Sequence, residues 1–493
     1  MTAKQVFFRC SAATALLLLT AGSAQAETLQ GALAKAYQYN PTLTGARAQQ
    51  RATDENVPLR KADGRPDIGT SAEFQELVVK PALAFLAPDR SLVGGATINV
   101  PIYQGGAVRN GVKAAKVRVQ AGQANVRGTE ASIFSQVVGA YLDVIRDSAI
   151  VSLNLANVSA LEVNLQATSD RFEVGDLTRT DVAQSESRLA LARADLQTAQ
   201  ANLISSRENY IALVGAVPDN LEPPPPLPGL PAAPELAVQV ALADNPDLAA
   251  ARKSREAAGY DVRVAKAAVL PTLSGFAQGS YTHYLGSLRA SAAPGVPVEG
   301  LSQTNKQAVA GATLRLPLYQ GGRPGAQVRQ SQALQSQSIE QEIEVERSVV
   351  AQTRSAYASW QASLQSIESN QKAVEAANLS LEGVRAENSV GSRTILDILN
   401  AEQEALSARV QLVSARRNAY VAGFSLLAAM GHAEADDLNL ETGALYNPMV
   451  NYERVKGKWF DWDFDPAPRP QATRTVDTPA QTANVPAGLA HQP

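Results

Sequence analysis

An internal duplication with a fixed spacing constrains this chain more than any other feature. The stretch NVPIYQGG returns later as RLPLYQGG, so that Pro101 and Pro317 lie 216 residues apart. Gly175 and Gly391, in the stretches EVGDLTRTD and SVGSRTILD, keep the same offset. Loops of globular domains change length readily, whereas a constant offset over so long a stretch predicts two copies of one structural unit.

The duplication divides the chain into five parts. Residues 1–26 are predicted to be a signal peptide, because basic residues precede a short apolar run and Ala24-Gln25-Ala26 then offers small residues for cleavage. The other parts are the first repeat at 27–216, a proline-rich link at 217–234, the second repeat at 235–446, and a C-terminal tail at 447–493 that is expected to be largely disordered. Cys10 is the one cysteine of the sequence, so the mature chain is predicted to lack disulfides and thiol nucleophiles.

The hydrophobic period changes within each repeat. Alternating apolar and polar residues predict one strand hairpin at about 67–103 and another at about 272–319. A helix precedes the first hairpin, and apolar residues then recur every three or four positions. This spacing predicts long helices at 105–172 and 178–213, and again at about 322–388 and 394–429. The helical seams are rich in small residues, which favours helices packed side by side around a cylinder.

A short joint separates strand from helix in both repeats. Proline cannot donate to a sheet ladder, so strand pairing is expected to end there, and two glycines allow the chain to turn before the helix. The tyrosine of each joint fits either a membrane interface or ordinary packing at a strand end. The joint residues are Pro101, Tyr103, Gly105 and Gly106 in the first repeat, and Pro317, Tyr319, Gly321 and Gly322 in the second.

The composition argues against several classes of function. The 44 basic and 47 acidic side chains nearly balance, so no basic surface for nucleic acid is indicated. The 3 histidines are far apart, and no metal-ligand cluster, phosphate-binding loop or catalytic triad is apparent. We therefore expect no metal, no cofactor and no enzymatic activity. No segment after the signal peptide offers the ~20 apolar residues of a transmembrane helix.

The turns between the long helices carry matching motifs. Each has a Val-Gly pair followed by Thr-x-x-Asp: Val174, Gly175, Thr178 and Asp181 in the first repeat, and Val390, Gly391, Thr394 and Asp397 in the second. Thr-x-x-Asp fits a capping box, and a glycine at this place fits a helix end. From the residues alone, capping is the favoured interpretation of both aspartates.

Taken together, these features resemble the TolC-like outer-membrane factor family over about residues 27–447. The resemblance implies a mainly α fold with a membrane β-barrel. In it, four strands from each chain of a homotrimer close a twelve-stranded barrel that continues as a long periplasmic α-helical barrel. It also implies an outer-membrane channel-tunnel that extends into the periplasm, passive and gated at its periplasmic end. Such a duct serves a tripartite efflux pump or a type I secretion system. The implied partners are a periplasmic adaptor (membrane fusion) protein, an inner-membrane transporter of RND or ABC type, and outer-membrane lipid.

The same resemblance assigns a gate at the periplasmic turns. The implied gate residues are Asp397, Asn400, Arg393, Thr180, Asp181 and Asn388. Asp397 would belong to an acidic ring at the narrow end, and Arg393 would bridge to a neighbouring chain at Thr180 and Asp181. Asn400 and Asn388 stand where the family often has an acidic residue and a tyrosine, which predicts a more weakly held closed state.

Contacts to the adaptor are implied for the Val-Gly pairs, namely Val174, Gly175, Val390 and Gly391. Asp176 departs from the apolar residue that is usual beside the first pair. A periplasmic adaptor or structural coiled-coil protein without its own channel is the alternative function. Two units with strand hairpins ahead of long helices argue against it.

The tail contains the stretch KWFDWDFDP at 458–466. Its aromatic side chains are expected to pack against the helices, and a peptide that docks a partner is the alternative. The pattern Tyr452-x-x-Val455-x-x-Lys458-Trp459-Phe460 resembles the type I secretion branch of the family, which favours secreted cargo slightly over drugs.

Overall fold

The computed structural model describes residues 27–79, 88–287, 301–440 and 445–485. The predicted signal peptide lies outside the described residues. The elements are, in order, α1 (Leu29–Tyr39), α2 (Pro41–Asp54), α3 (Asn56–Ala62), β1 (Asp67–Glu76), β2 (Arg90–Gln104), α4 (Ala107–Glu173), α5 (Arg179–Val214), α6 (Pro234–Asp244), α7 (Pro246–Lys266), β3 (Thr272–His283), β4 (Thr304–Arg315), α8 (Arg323–Ser389), α9 (Ile395–Met430) and α10 (Pro448–Val455), with a 3₁₀ turn at Ala267–Val269 after α7.

The four strands form one antiparallel sheet in the order β1-β2-β3-β4. The hairpin β1–β2 belongs to the first repeat and β3–β4 to the second, and β2 pairs with β3 over the length of both strands. The sheet therefore joins the two repeats into one wall. β1 and β4 are its edges, and each has one side without a strand partner in the part of the chain that the structure describes.

The two faces of the sheet differ in polarity. Residues paired across an antiparallel ladder share a face, so the register defines each row of side chains. One row consists of Ile68, Ile98, Ala277 and Ala310, and a row on the opposite face consists of Ser71, Gly95, Ser280 and Gln307. Alternation of an apolar and a polar face is typical of strands in a membrane barrel, where the apolar face meets lipid.

The prolines of the two joints lie in different settings. In the second repeat β4 ends at Arg315, before Pro317, as expected. In the first repeat the prediction was wrong: β2 still pairs with β3 beyond Pro101, as far as Gln104, and the register shifts between Pro101 and Tyr103. Such an irregularity tolerates a residue without an N–H, so the ladder continues past the proline.

Both joints turn through two glycines with positive φ. Gly105 and Gly106 have φ of 60° and 85°, and Gly321 and Gly322 have φ of 63° and 78°. A side chain at Gly105 would also place its Cβ within 2.8 Å of the carbonyl oxygen of Ala267. Glycine is needed at this position for conformation and for space.

The long helices pack as antiparallel pairs below the sheet. α4 and α8 have 67 residues each, which corresponds to ~100 Å, and α5 and α9 have 36 residues each, or ~54 Å. α5 returns along α4 and α9 returns along α8, while α7 packs against both α4 and α8. Within the described parts of the chain, none of the helices has the length and hydropathy to cross a membrane.

The largest buried cluster lies where α5 ends against the middle of α4. It includes Phe134, Tyr141, Leu203, Tyr210 and Phe424. The hydroxyl group of Tyr141 lies 2.8 Å from the carbonyl oxygen of Glu27 and 2.6 Å from that of Glu222. One buried side chain thereby fastens both the start of the first repeat and the proline-rich link to α4.

The tail differs from the expectation of disorder. α10 forms, and the described part of the tail continues to residue 485. Arg207 donates to the carbonyl oxygens of Thr482 and Asn484, and the amide of Gln481 donates to Glu208 at 3.1 Å. Polar side chains of α5 thus hydrogen-bond to the backbone of residues 481–484, which form neither a helix nor a strand.

Candidate functional site: the paired helix turns

The turns α4–α5 and α8–α9 have the same backbone geometry. The amide of Gly175 donates to the carbonyl oxygen of Phe172 at 3.0 Å, and the amide of Asp176 donates to that of Arg171 at 2.9 Å. The second turn repeats this pair of bonds at 2.9 and 3.0 Å around Gly391. With φ of 83° and 80° at the two glycines, both helices end in a Schellman motif.

The helix that follows each turn begins with a capping box. The amide and hydroxyl of Thr178 donate to Oδ2 of Asp181 at 2.9 and 2.7 Å, and the amide of Asp181 donates to Oγ1 of Thr178 at 3.3 Å. Thr394 and Asp397 form three bonds of the same lengths. These bonds lower the pKa of both carboxyl groups, because they favour the ionised form. Both aspartates therefore cap helices and are negatively charged at neutral pH.

The second turn is held by a polar network of its own. Nε of Arg393 lies 2.7 Å from a carboxylate oxygen of Glu387, and Nδ2 of Asn388 donates to the carbonyl oxygen of Arg393 at 2.7 Å. The bond to Glu387 raises the pKa of Arg393, and the charge of Asp397 acts in the same direction. Arg393, Asn388 and Asp397 are thus gathered at one turn. Thr180 and Asp181 belong to the other turn.

A valine at each turn projects into solvent. Val174 is 80% exposed and Val390 is 79% exposed, and each precedes a helix-ending glycine. A branched apolar side chain gains nothing from such exposure in a lone chain. The two turns therefore offer a matched pair of apolar contact points.

The second gate asparagine lies deeper, where α9 meets the first repeat. Oδ1 of Asn400 accepts from Arg188 on α5 at 2.6 Å, and Leu399 beside it packs with Leu161 and Leu189. Asn400 therefore contacts a different helix from Asn388 and does not share its network.

A buried carboxylate close to Asn400 was not anticipated from the sequence. Glu402 on α9 is 7% exposed and accepts from Arg385 at 2.8 Å and from Asn164 at 3.0 Å. The bonds link α9 to both α8 and α4. The sequence does show a glutamate between Ala401 and Ala405, in the apolar seam of α9, which could have indicated a buried carboxylate. Its partners could not be predicted, because they belong to other helices.

The charged side chains of the site do not form a metal-binding cluster in the part of the chain that the structure describes. Among residues 27–79, 88–287, 301–440 and 445–485, no group of three His, Cys, Asp or Glu side chains could hold a metal ion. What the turns combine is ionised carboxylates, exposed guanidinium groups and protruding valines at the tips of long helices. Such an arrangement suits a charged constriction and a docking point.

This chain is similar to a protein family, to characterised proteins and to solved structures. The family described as outer membrane efflux protein matches residues 32–216 and 237–432. The outer membrane efflux protein BepC of Brucella suis is 36% identical over 465 residues, which are 92% of this chain and 97% of that protein. The outer membrane protein TolC of Escherichia coli is 31% identical over 64% of this chain and 65% of its own length. The outer membrane protein VceC of Vibrio cholerae has a TM-score of 0.69 at 23% identity, covering 82% of this chain and 96% of that structure.

Proposed function

Because the chain belongs to the outer membrane efflux protein family, we propose that three copies of it form the gated outer-membrane duct of a tripartite export assembly. The protein is an outer-membrane channel protein whose helices extend into the periplasm, and it serves as an exit duct for exported molecules. The family, fold class, location and duct function expected from the sequence are thereby confirmed. The family is one of transport proteins and not of enzymes.

The four-stranded sheet is the observation that supports a trimer. One face of the sheet is apolar, and its edge strands β1 and β4 each have a row of backbone groups without a strand partner among the described residues of the chain. In hydrocarbon every such group must be paired, so an open sheet cannot exist there. Three chains that place β4 beside the β1 of a neighbour would close a barrel of twelve strands.

The gate is proposed for the periplasmic end of the helices. Asp397 uses Oδ2 for its helix cap and remains ionised, so three copies around a narrow opening would favour cations and repel one another. Arg393 pairs with Glu387 in its own chain. We propose that in the closed trimer it turns instead to Thr180 and Asp181 of the adjacent chain, and that opening returns it to Glu387.

The protruding valines are proposed to receive the periplasmic adaptor. Val174 and Val390 have the same exposure and follow helices of the same length, so a trimer would present six equivalent apolar tips. An adaptor would connect these tips to an inner-membrane transporter of RND or ABC type, which would supply the energy. Gly175 and Gly391 shape the turns and permit close approach of a partner.

Efflux of small molecules is the proposed use of the duct. BepC, which is 36% identical to this chain over 92% of the chain's length, is named an outer membrane efflux protein. Type I secretion is a second candidate, favoured by the pattern from Tyr452 to Phe460 in the tail. Deletion of the gene, followed by assays for drug accumulation and for missing secreted proteins, would separate the two uses.

Ion selectivity in planar bilayers tests the gate. Asp397→Asn and Asp181→Asn remove the same charge from capping boxes with the same bond lengths, so the two variants match in their effect on the helix start. We expect Asp397→Asn to reduce the preference of the channel for cations and Asp181→Asn to leave it unchanged. Wild-type selectivity in both variants would mean that both aspartates act only as caps, and an equal loss in both would mean that the opening is not lined by Asp397 alone.

A further inference from the structure

A cluster of exposed aromatic side chains lies in the tail, in a segment that the duct function does not use. We define the aromatic loop as residues 456–464. Trp459, Phe460, Trp462 and Phe464 are 58%, 78%, 84% and 79% exposed, so the expectation that they pack against the helices was wrong for the last three. Exposed aromatic side chains grouped in this way mark a contact surface.

The aromatic loop has a defined conformation because ion pairs clasp its two ends. Arg454, on α10, makes a bidentate pair with Asp465 at 2.7 and 2.8 Å. Lys458 lies 3.1 Å from Asp463 and 3.6 Å from Asp465. Asp463 and Asp465, which alternate with aromatic residues, are thus engaged on one side, and this directs the rings outward.

The loop is also fastened directly beneath the sheet. Nζ of Lys61 donates to the carbonyl oxygen of Lys456 at 2.6 Å, and Arg65 donates to that of Lys458 at 2.7 Å. The guanidinium group of Arg65 lies over the Trp459 ring, 4.4 Å from its centroid. Arg65 precedes β1 by two residues, so the apolar face that starts at Ile68 is only ~10 Å away along an extended chain.

Positive charges surround the anchoring point. Lys61, Arg65, Lys116 and Lys456 are close enough that, together with burial, their mutual repulsion lowers the pKa of Lys61. Aromatic rings beside lysine and arginine are the combination found where proteins meet the headgroup region of a bilayer. Phospholipid phosphates would neutralise this cluster.

From these contacts we propose that the aromatic loop is a membrane anchor that inserts its rings into the phospholipid headgroup region of the periplasmic leaflet, beside the foot of the barrel. The loop extends the lipid-facing surface of the sheet below the strands. It fixes the height of the barrel in the membrane, since the rings prefer the interface to either water or hydrocarbon. This inference relies on the placement of the sheet in the membrane and goes beyond the duct function.

The three tryptophans of the chain make the proposal testable. Trp459 and Trp462 are in the loop, whereas Trp360 lies against Tyr357 and the buried Leu426, ~56 Å along α8 from its start at Arg323. A Trp360→Phe variant therefore reports only on the loop. A Trp459→Phe, Trp462→Phe double variant reports only on Trp360.

Both variants would be reconstituted in vesicles of phosphatidylethanolamine and phosphatidylglycerol whose acyl chains carry bromine near the headgroup. We expect the Trp360→Phe variant to lose emission relative to unbrominated vesicles, and to lose less when the bromine is near the chain ends. The double variant should show no loss. Emission from the loop that is unaffected by bromine would overturn the proposal. In that case, quenching by aqueous acrylamide would show a loop in water, and protection from acrylamide would show a neighbouring chain covering it.

A further variant separates the loop from the barrel. Ile98→Trp, in a chain whose three native tryptophans are phenylalanine, places a reporter on the apolar face of β2. If this reporter is quenched and the loop is not, the anchor proposal fails and the barrel stands. If the Ile98→Trp reporter is not quenched, the placement of the sheet in lipid fails as well.

Discussion

Glu130 on α4 leads to a prediction about pH and stability. Its Oε1 accepts from the amide of Ala435 at 2.6 Å, at the place where the end of the second repeat packs against the first. The side chain is 9% exposed. Burial and, to a smaller extent, the charge of Glu434 raise the pKa of Glu130 from its ordinary 4.5 to about 7, against the hydrogen bond from Ala435 and the charges of Arg47 and Arg127, which lower it.

The sign of the effect follows from proton linkage. Below pH 4.5 the carboxyl group is protonated in both the folded and the unfolded chain, and the fold has its full stability. Above pH 4.5 the carboxyl group ionises in the unfolded chain, whereas in the folded chain it stays protonated until the pH reaches about 7. The folded state therefore loses stability as the pH rises from 4.5 to about 7. The difference between the two pKa values corresponds to about 3 kcal/mol of unfolding free energy lost above pH 7.

Glu130→Gln removes this titration and keeps an oxygen that can accept from Ala435. We expect the variant to be more stable than the wild type above pH 7, by up to about 3 kcal/mol, and to approach it below pH 5. Helix content of the detergent-solubilised protein, followed by circular dichroism against urea from pH 5 to 8.5, measures the difference.

Glu402→Gln is the matched control. It also replaces a buried glutamate of a long helix, but it removes the ion pair with Arg385, so it should destabilise the protein at neutral pH. A Glu130→Gln variant whose stability relative to the wild type does not change with pH would contradict the raised pKa of Glu130. A variant less stable than the wild type at pH 8 would refute it equally.

Three further predictions concern the turns and the repeat junction. Arg393→Ser should loosen the resting aperture and raise conductance and antibiotic sensitivity. Arg171→Ser, which breaks an exposed ion pair in the first turn, should change neither. Equal conductance and sensitivity in the two variants would contradict the assignment of Arg393 to the gate. Val390→Asp should reduce crosslinking to the adaptor and export without reducing trimer yield, and unchanged crosslinking would argue against an adaptor contact. Gly431→Ala should lower trimer yield sharply, because its Cβ would lie 2.5 Å from the backbone oxygen of Asp244, where α6 ends. Gly391→Ala is the control: its φ is similar and its surroundings are open, so it should lower the unfolding free energy by only about 1–2 kcal/mol. Similar trimer yields from the two variants would contradict the clash at Gly431.

The fold could be predicted because its signals are local and occur twice. Alternation around Ile98 and Ala310 indicates strands, and the glycine pairs indicate a turn into helix wherever they occur. The pairing of β2 with β3 has no such signal, since two residues of distant repeats meet only in three dimensions. The continuation of the ladder past Pro101 depends on that same pairing.

The site was less accessible to sequence reasoning. The pattern Thr394-x-x-Asp397 predicts a helix cap, and the cap is present. A gate role depends on how several copies of the chain assemble, which the sequence of one chain does not show. Arg188 and Asn400 are 212 residues apart and meet across the repeats. The tail was expected to be largely disordered because of its Pro-, Thr-, Ala- and Gln-rich composition. Its order comes from side chains of α3 and α5 that bind its backbone.

Disulfide trapping can show whether neighbouring chains close the sheet. β1 and β4 are separated by three strand spacings, ~14 Å, within a chain, whereas a disulfide requires Cα atoms within ~7 Å. In a chain without Cys10, Ser71→Cys on β1 would be combined in turn with a cysteine at each β4 position from 306 to 313 and oxidised in the membrane. We expect a covalent product of three chains at one register. A product limited to two chains, or none at any position, would contradict closure of the sheet by three chains.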